Sequence, residues 1–226
     1  AKQLSGLRVT EDIVEKAIKK LNLIHHPTEW SDSDLKSLAK ALRNLSKAII
    51  IAANKIDIEG SELNLDKLKE KYPDQIIIPC SADSELALRE AAKHILIKYI
   101  PGEDHFEIIG KLNEQQKKAL DYIKKNVLDK FGSTGIQEVL DTAVFKILKY
   151  IAIFPGGVSK LEDSQGRRLP DCFLLPENST ALDFAYKIHS DLGNNFVKAI
   201  DVKRRMPIGK DYKLKNRDVI EIVTRK

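Results

Sequence analysis

The sequence has little cysteine and no long apolar run, and each shortage removes a class of protein. Cys80 and Cys172, the two cysteines among 226 residues, lie far apart and show no metal-ligand spacing, so neither a disulfide framework nor a cysteine-built metal site is expected. The longest apolar run, Ala48 to Ala53, has the length of a strand and falls far short of the roughly 18 residues that span a bilayer. The opening Ala1–Gly6 has no apolar signal core, which with reduced thiols points to a cytoplasmic protein without a membrane partner. Repeats and low-complexity tracts are absent. What remains is a chain with 42% hydrophobic and 31% charged residues, able to bury a core and long enough for one or two domains. A net charge of +5 and a pI near 9.0 are compatible with an RNA partner without establishing one.

Helical spacing runs from Leu7 to Leu23 (Ile13, Val14, Ala17, Ile18, Leu21), with Thr10 and Glu11-Asp12 as start signals. His25-His26-Pro27 breaks it, and reads as a loop rather than a metal site. Ser31 predicts the cap of a second helix, with Asp34 in its first turn and Leu35, Leu38, Leu42 and Leu45 as its buried stripe. The pattern then changes. Ala48–Ala53 predicts a parallel strand covered on both faces. A loop (Asn54-Lys55-Ile56-Asp57), a short helix (Glu62–Lys71), a second strand (Gln75–Cys80) and a helix from Ser84 to about Tyr99 complete a βαβα unit, the last helix turning Leu86, Leu88, Ala91, Ala92, Ile95 and Leu96 inward. Pro101–Asp104 predicts a boundary. Two helices follow, near Asn113–Leu128 and Ile136–Leu148. The last third predicts strands at Tyr150–Phe154, Asp171–Leu175, Ala199–Val202 and Val219–Val223 around one helix, Ala181–Leu192, capped from Asn178-Ser179-Thr180: a small α+β domain of β-grasp type.

Chemistry concentrates where Asn54-Lys55-Ile56-Asp57 follows one strand and Ser81-Ala82 follows the next. Ligands of open α/β sheets sit beyond the carboxyl ends of the strands, and both loops occupy that edge. The Asp57 carboxylate can accept both N1–H and N2–H of a guanine, in charge-assisted hydrogen bonds. Adenine has no hydrogen on N1 and would be rejected. Asn54 would tie the loop and contact the base, the Lys55 stem would lie on the purine face, and the Ala82 N–H would meet the guanine carbonyl oxygen. The alternative is a solvated strand-to-helix turn, to which Asn and Asp are equally suited.

This pairing resembles the fourth and fifth guanine-specificity motifs of translation-factor-type GTPases. Ile78–Arg89 through Lys98-Tyr99-Ile100-Pro101-Gly102, and Phe131-Gly132-Ser133-Thr134-Gly135 with the following Ile136–Leu140 and Ala143-Val144-Phe145, resemble the YchF/Obg-like branch. The likeness extends from about residue 30 to the end. The standard Asn-Lys-x-Asp form implies GTP rather than the ATP favoured by the best-known YchF-type members, and points to archaeal-type relatives. No Gly-x-x-x-x-Gly-Lys-Ser/Thr phosphate loop is present: Gly110-Lys111 and Gly209-Lys210 are followed by Leu112 and Asp211. Asp57–Gly60 and Asp163–Gly166 match Asp-x-x-Gly only by coincidence. The resemblance therefore implies the carboxy-terminal part of a longer GTPase, with Mg²⁺ and hydrolysis belonging to the full-length protein and no catalytic residue here.

Pro176–Ala185, Ile188–Gly193 and Leu214–Val223 resemble a TGS domain, which implies a ribosome, RNA or protein partner. Lys203, Arg204, Arg205, Lys210, Lys213, Lys215 and Arg217, opposed only by Asp211, are the candidate RNA-phosphate contacts, with Tyr212 available for stacking. His189 has no nucleophile or paired carboxylate at useful spacing, and its imidazole is expected to bond backbone or water; Asp183 and Asp191 read as solvated or capping charges. The fold expected is half of a Rossmann-like P-loop GTPase sheet with helical segments, then a β-grasp TGS domain. Its divisions are a helical segment (1–47), the guanine-recognition half (48–100), a helical connector (101–148) and the TGS domain (149–226). The function expected is a GTP-binding regulator; the alternative is an RNA- or ribosome-binding module with no nucleotide role. The unfinished sheet also leaves an apolar edge beside Ala48–Ala53.

Overall fold

A computed structural model of the protein describes residues 9–23, 25–47, 49–157, 161 and 171–225. The sequence expectations at Leu7, Ala48 and Asp163–Gly166 lie outside the described residues. The chain divides into two compact units, 1–139 and 140–226.

The first unit opens on a helical hairpin. Helix α1 (Glu11–Leu21) starts where the Ile13 N–H donates to Thr10 Oγ1, and ends at Asn22, whose left-handed backbone turns the chain away. A single 3₁₀ turn at Pro27–Glu29 follows. Helix α2 (Asp32–Ser46) opens on a capping box in which the Ser31 N–H donates to Asp34 Oδ2 at 3.0 Å and the Asp34 N–H to Ser31 Oγ at 3.2 Å. Ala17 is fully buried, yet Leu35 and Leu45 of the expected stripe stay exposed. Two helices alone bury a narrow seam, not a whole apolar face.

Strand β1 (Ile50–Ala53), helix α3 (Ser61–Lys71), strand β2 (Ile76–Pro79) and helix α4 (Ala82–Lys93) form the βαβα unit. The strands are parallel, registered from Ile50 opposite Ile76 to Ala53 opposite Pro79. This sheet has two strands, and β1 contains no buried residue; Ala52 is exposed. The expected cover on both faces of β1 is therefore not observed among the described residues.

Helix α4 stops at Lys93 rather than continuing to Tyr99. Ile95 adopts a left-handed conformation (φ 57°) and sends the chain into β3 (Ile97–Lys98), which pairs antiparallel with β4 (Glu107–Ile108). Pro101–Asp104 thus lies within the connection of a short ribbon. Leu88 is fully buried and Ala91, Ala92 and Leu96 pack on the core, whereas Leu86 and Ile95, expected inward, are 60% and 72% exposed. Helix α5 (Glu114–Ile123) continues through a π-helical turn (Lys124–Leu128) into α6 (Asp129–Phe131) and ends at Gly132. Leu120, Ile123, Val127 and Leu128 join Leu88 and Ile97 in one cluster, so the segment expected as a connector shares its core with α4. Helix α7 (Ile136–Asp141) and a second π-helical turn (Thr142–Ile147) carry the chain onward.

The second unit is a five-stranded sheet with helices on one side of its core. It comprises β5 (Tyr150–Pro155), β6 (Phe173–Pro176), α8 (Ala181–Ile188), α9 (Ser190–Asn194), β7 (Phe196–Asp201), β8 (Met206–Ile208) and β9 (Val219–Thr224). The order is β6-β5-β9-β7-β8, with β5 and β9 parallel and the other pairs antiparallel. Phe184 of α8 is fully buried among Ile151, Ile153, Leu175, Ala199 and Ile220, and meets Phe173 edge-to-face at 5.8 Å. This is the expected β-grasp arrangement, with two departures. Strand β8 was not foreseen, because Pro207 and its short length hide it. The single expected helix is broken at His189, whose Nδ1 accepts the Asp191 N–H at 3.2 Å and caps α9. The imidazole is thus bonded to backbone.

Candidate functional site

The parallel register brings both strand-end loops to one edge of the β1–β2 pair. Backbone bonds lock them together: the Cys80 N–H donates to Ala53 O (2.9 Å) and the Ile56 N–H to Cys80 O (3.2 Å). Buried Ile56 anchors the first loop, and Lys55 passes through a left-handed conformation (φ 69°). Side chains complete the tie. Asn54 Oδ1 accepts from its neighbour Lys55 N–H (2.8 Å) and, across the gap, from Ala82 N–H (3.0 Å). Ser81 Oγ donates to Asp57 Oδ1 at 2.8 Å while accepting from the Ser84 N–H as the cap of α4.

The structure therefore assembles Asn54, Lys55, Asp57, Ser81 and Ala82 at one place. Asp57 is half-buried, with Oδ1 oriented by Ser81 and no donor on Oδ2 among the described residues. The Ala82 N–H, expected to meet a purine carbonyl, is engaged by Asn54; a ligand oxygen would have to share or displace that bond. A cleft of about 420 Å³ between the first loop and α3 is lined by Asn54, Lys55, Ile56, Ile58, Leu65 and Leu68, but not by Asp57 or Ala82.

Sequence reasoning missed the supports beneath these loops. Tyr122 of α5 donates its hydroxyl to Asp57 O at 2.8 Å. The Ser81 N–H donates to Thr134 O at 2.9 Å, and Gly135, with φ +76°, lies so close to β2 that a Cβ there would sit 1.9 Å from Pro79 O. Below the second loop, buried Glu85 accepts from Thr134 Oγ1 (2.6 Å) and Tyr99 OH (2.8 Å) on one oxygen and from Arg89 Nε (2.6 Å) on the other. Burial pushes the Glu85 carboxyl up, but the hydrogen bonds from Thr134, Arg89 and Tyr99 outweigh it and hold the group below its ordinary value. Tyr99, desolvated and bonded to that carboxylate, is pushed up to about 12. The available signal was an acid on the buried face of α4, three residues before Leu88.

In the second unit, Lys203, Arg205, Lys210, Lys213, Lys215 and Arg217 are exposed around the β7–β8 turn and the segment leading to β9. Arg204 is exposed too, and also bonded. Its guanidinium donates to Asp201 Oδ2 (3.0 Å) and Tyr212 OH (2.9 Å), and its N–H to Asp201 Oδ1 (3.0 Å), with Asp201 itself 1% exposed. Tyr212 is half-buried against the core. Asp201 and Asp218, not only Asp211, oppose the basic stretch; the latter's carboxylate accepts the Lys215 N–H. Among the described residues no group of His, Cys, Asp and Glu could hold a metal ion, and no helix is long and apolar enough to cross a membrane.

Residues 52–157 match the family described as Obg-like GTPase YGR210-like, G4 motif-containing domain, and residues 161–224 match the TGS domain. A GTP-binding protein of Methanocaldococcus jannaschii is 46% identical over 225 residues, which cover 98% of this chain and 56% of that protein. The crystal structure of a GTP binding protein from Pyrococcus horikoshii OT3 is 40% identical with a TM-score of 0.64, over 100% of this chain and 60% of that one. The YchF GTPase structure of Schizosaccharomyces pombe, 18% identical with a TM-score of 0.50 over 98% of this chain and 60% of that one, shares the fold. The chain spans about half the length of the curated relatives it matches. The chain thus carries an Obg-like GTPase YGR210-like, G4 motif-containing domain followed by a TGS domain, and its relatives are GTP-binding proteins.

Proposed function

We propose that the protein binds guanine nucleotides through Asn54, Lys55, Asp57, Ser81 and Ala82, and acts as a GTP-binding regulator whose TGS domain engages RNA or the ribosome. The observation that carries the base assignment is the 2.8 Å bond from Ser81 Oγ to Asp57 Oδ1, which orients a carboxylate whose other oxygen has no donor among the described residues. Such a group accepts N1–H and N2–H of guanine and finds no matching donors on adenine. Residues 48–100 are then the recognition half, 101–148 their helical support and 149–226 the partner-binding module. Phosphate contacts, Mg²⁺ and hydrolysis belong to other parts of a longer protein, since no glycine-rich phosphate loop occurs in this sequence. Two free cysteines fit a cytoplasmic setting.

In the full-length protein, Asp57→Ala should weaken GTP binding by about 100-fold, the scale of one or two lost hydrogen bonds to a charged group, and narrow the preference for GTP over ATP. Titration with fluorescent nucleotides measures both. Equal binding of GTP and ATP by the unmutated protein would sink the assignment and leave the RNA-binding module as the surviving reading.

The RNA surface is assigned to Lys203, Arg204, Arg205, Lys210, Lys213 and Lys215, of which Arg204 is exposed and also bonded to Asp201 and Tyr212. Lys203→Glu with Arg205→Glu should reduce RNA affinity and lower the slope of log K against log salt by about 1 for each phosphate no longer neutralised. An unchanged slope removes this edge from the interface.

A further inference from the structure

The two strand-end loops are also held from outside the β1–β2 pair. Asn54 and Ser81 tie the loops to each other, but such ties leave the pair free to move together. Two bonds fix the pair to the helical segment. Tyr122 grips the carbonyl of Asp57, the residue whose side chain faces the ligand edge. Thr134 accepts the N–H of Ser81, the residue that orients Asp57 and precedes Ala82. Thr134 is itself fully buried and pinned through Oγ1 to Glu85. Tyr122 is 47% exposed, and its hydroxyl spans 65 residues of sequence to reach a loop carbonyl.

We infer that Tyr122 and Thr134 are positioning residues for guanine recognition: α5 and the Ser133–Gly135 turn hold the loops so that Asp57 meets both donors of the base. The inference rests on the guanine reading above. Its physical basis is the narrow geometry of hydrogen bonds, which weaken steeply on misalignment, so a displacement of about 1 Å can cost on the order of 100-fold. A shifted carboxylate can keep N1–H while losing the exocyclic N2–H, or the reverse. Discrimination should therefore suffer more than binding in general.

The test compares GDP with inosine diphosphate, which lacks only the exocyclic amine, in the full-length protein. The unmutated protein should prefer GDP by about 10-fold or more, the scale of one hydrogen bond to a charged acceptor. Tyr122→Phe and Thr134→Val should bring the two affinities close together by weakening GDP binding while changing inosine diphosphate binding little. Thr134→Ser, which keeps the hydroxyl, should restore the preference. Tyr122→Phe removes one partly exposed hydroxyl and should leave the melting temperature unchanged, so it carries the test if Thr134→Val does not fold. A preserved preference in Tyr122→Phe overturns the positioning role, as does an equal loss for both nucleotides. Absence of any preference in the unmutated protein overturns the guanine reading itself.

Discussion

Gly135→Ala is expected to destabilise the first unit by about 3 kcal/mol or more. Left-handed backbone costs a residue with a Cβ about 1–2 kcal/mol, and overpacking against well-packed neighbours adds about 1–3 kcal/mol. Here the neighbour is backbone: the new methyl would lie 1.9 Å from Pro79 O and 3.0 Å from Cys80 Cα, so the turn or β2 must move. Gly132→Ala supplies the control. Its φ is +75°, nearly the same, but nothing lies within 4 Å of its added Cβ, and the expected loss is the conformational part alone, about 1–2 kcal/mol. Urea unfolding of both variants separates the effects. Equal losses would show that the approach of Gly135 to β2 contributes nothing.

Glu85→Ala should cost a similar amount, about 3 kcal/mol, for a different reason. It leaves the Thr134 hydroxyl, in a residue with 0% exposure, without its acceptor, and takes away the partner of Tyr99 as well. A buried unsatisfied donor costs about 1–3 kcal/mol, and hydrogen bonds to a charged group are worth about 1.5–3 kcal/mol each. A loss below about 1 kcal/mol would mean that water or a rearranged Arg89 replaces the carboxylate. The pH dependence follows from the directions of the two shifts. Glu85 is lowered in the folded protein, so its contribution is present above the ordinary carboxyl value of 4.5 and disappears as pH falls through the lower folded value. Tyr99 is raised from 10.0 to about 12, so its contribution is full below 10 and is lost as pH rises through about 12. Glu85→Gln should flatten the acid limb and Tyr99→Phe the alkaline one.

What the sequence made legible was local. The capping boxes at Ser31–Asp34 and Thr180–Asp183 form between residues three apart, so their residue types announce them. Asn54–Asp57 and Ser81-Ala82 were placed together because two strands with a helix between them must run parallel, bringing both carboxyl ends to one edge. What escaped depended on distant contacts or on conformations the residue type disfavours. Nothing near Lys93 announces that a β-branched residue, Ile95, will turn left-handed and end α4. Tyr122 and Thr134 look ordinary in sequence, because their partners lie 65 and 49 residues away. That Arg204, an exposed cation, also bonds buried Asp201 three residues earlier was not read from the sequence.

The same long spans bear on the order in which the molecule can be made. Both strand-end loops have left the ribosome's catalytic centre once Ala82 is added, yet their supports at Tyr122 and Thr134 do not exist until much later in synthesis. Closing such distant contacts also carries a loop entropy that the adjacent turns avoid. During translation the edge around Asp57 is therefore the late part of its unit, formed only after α5 and the Ser133–Gly135 turn have been added and have docked. An emerging chain can pair β1 with β2 well before it can present a finished edge to a ligand.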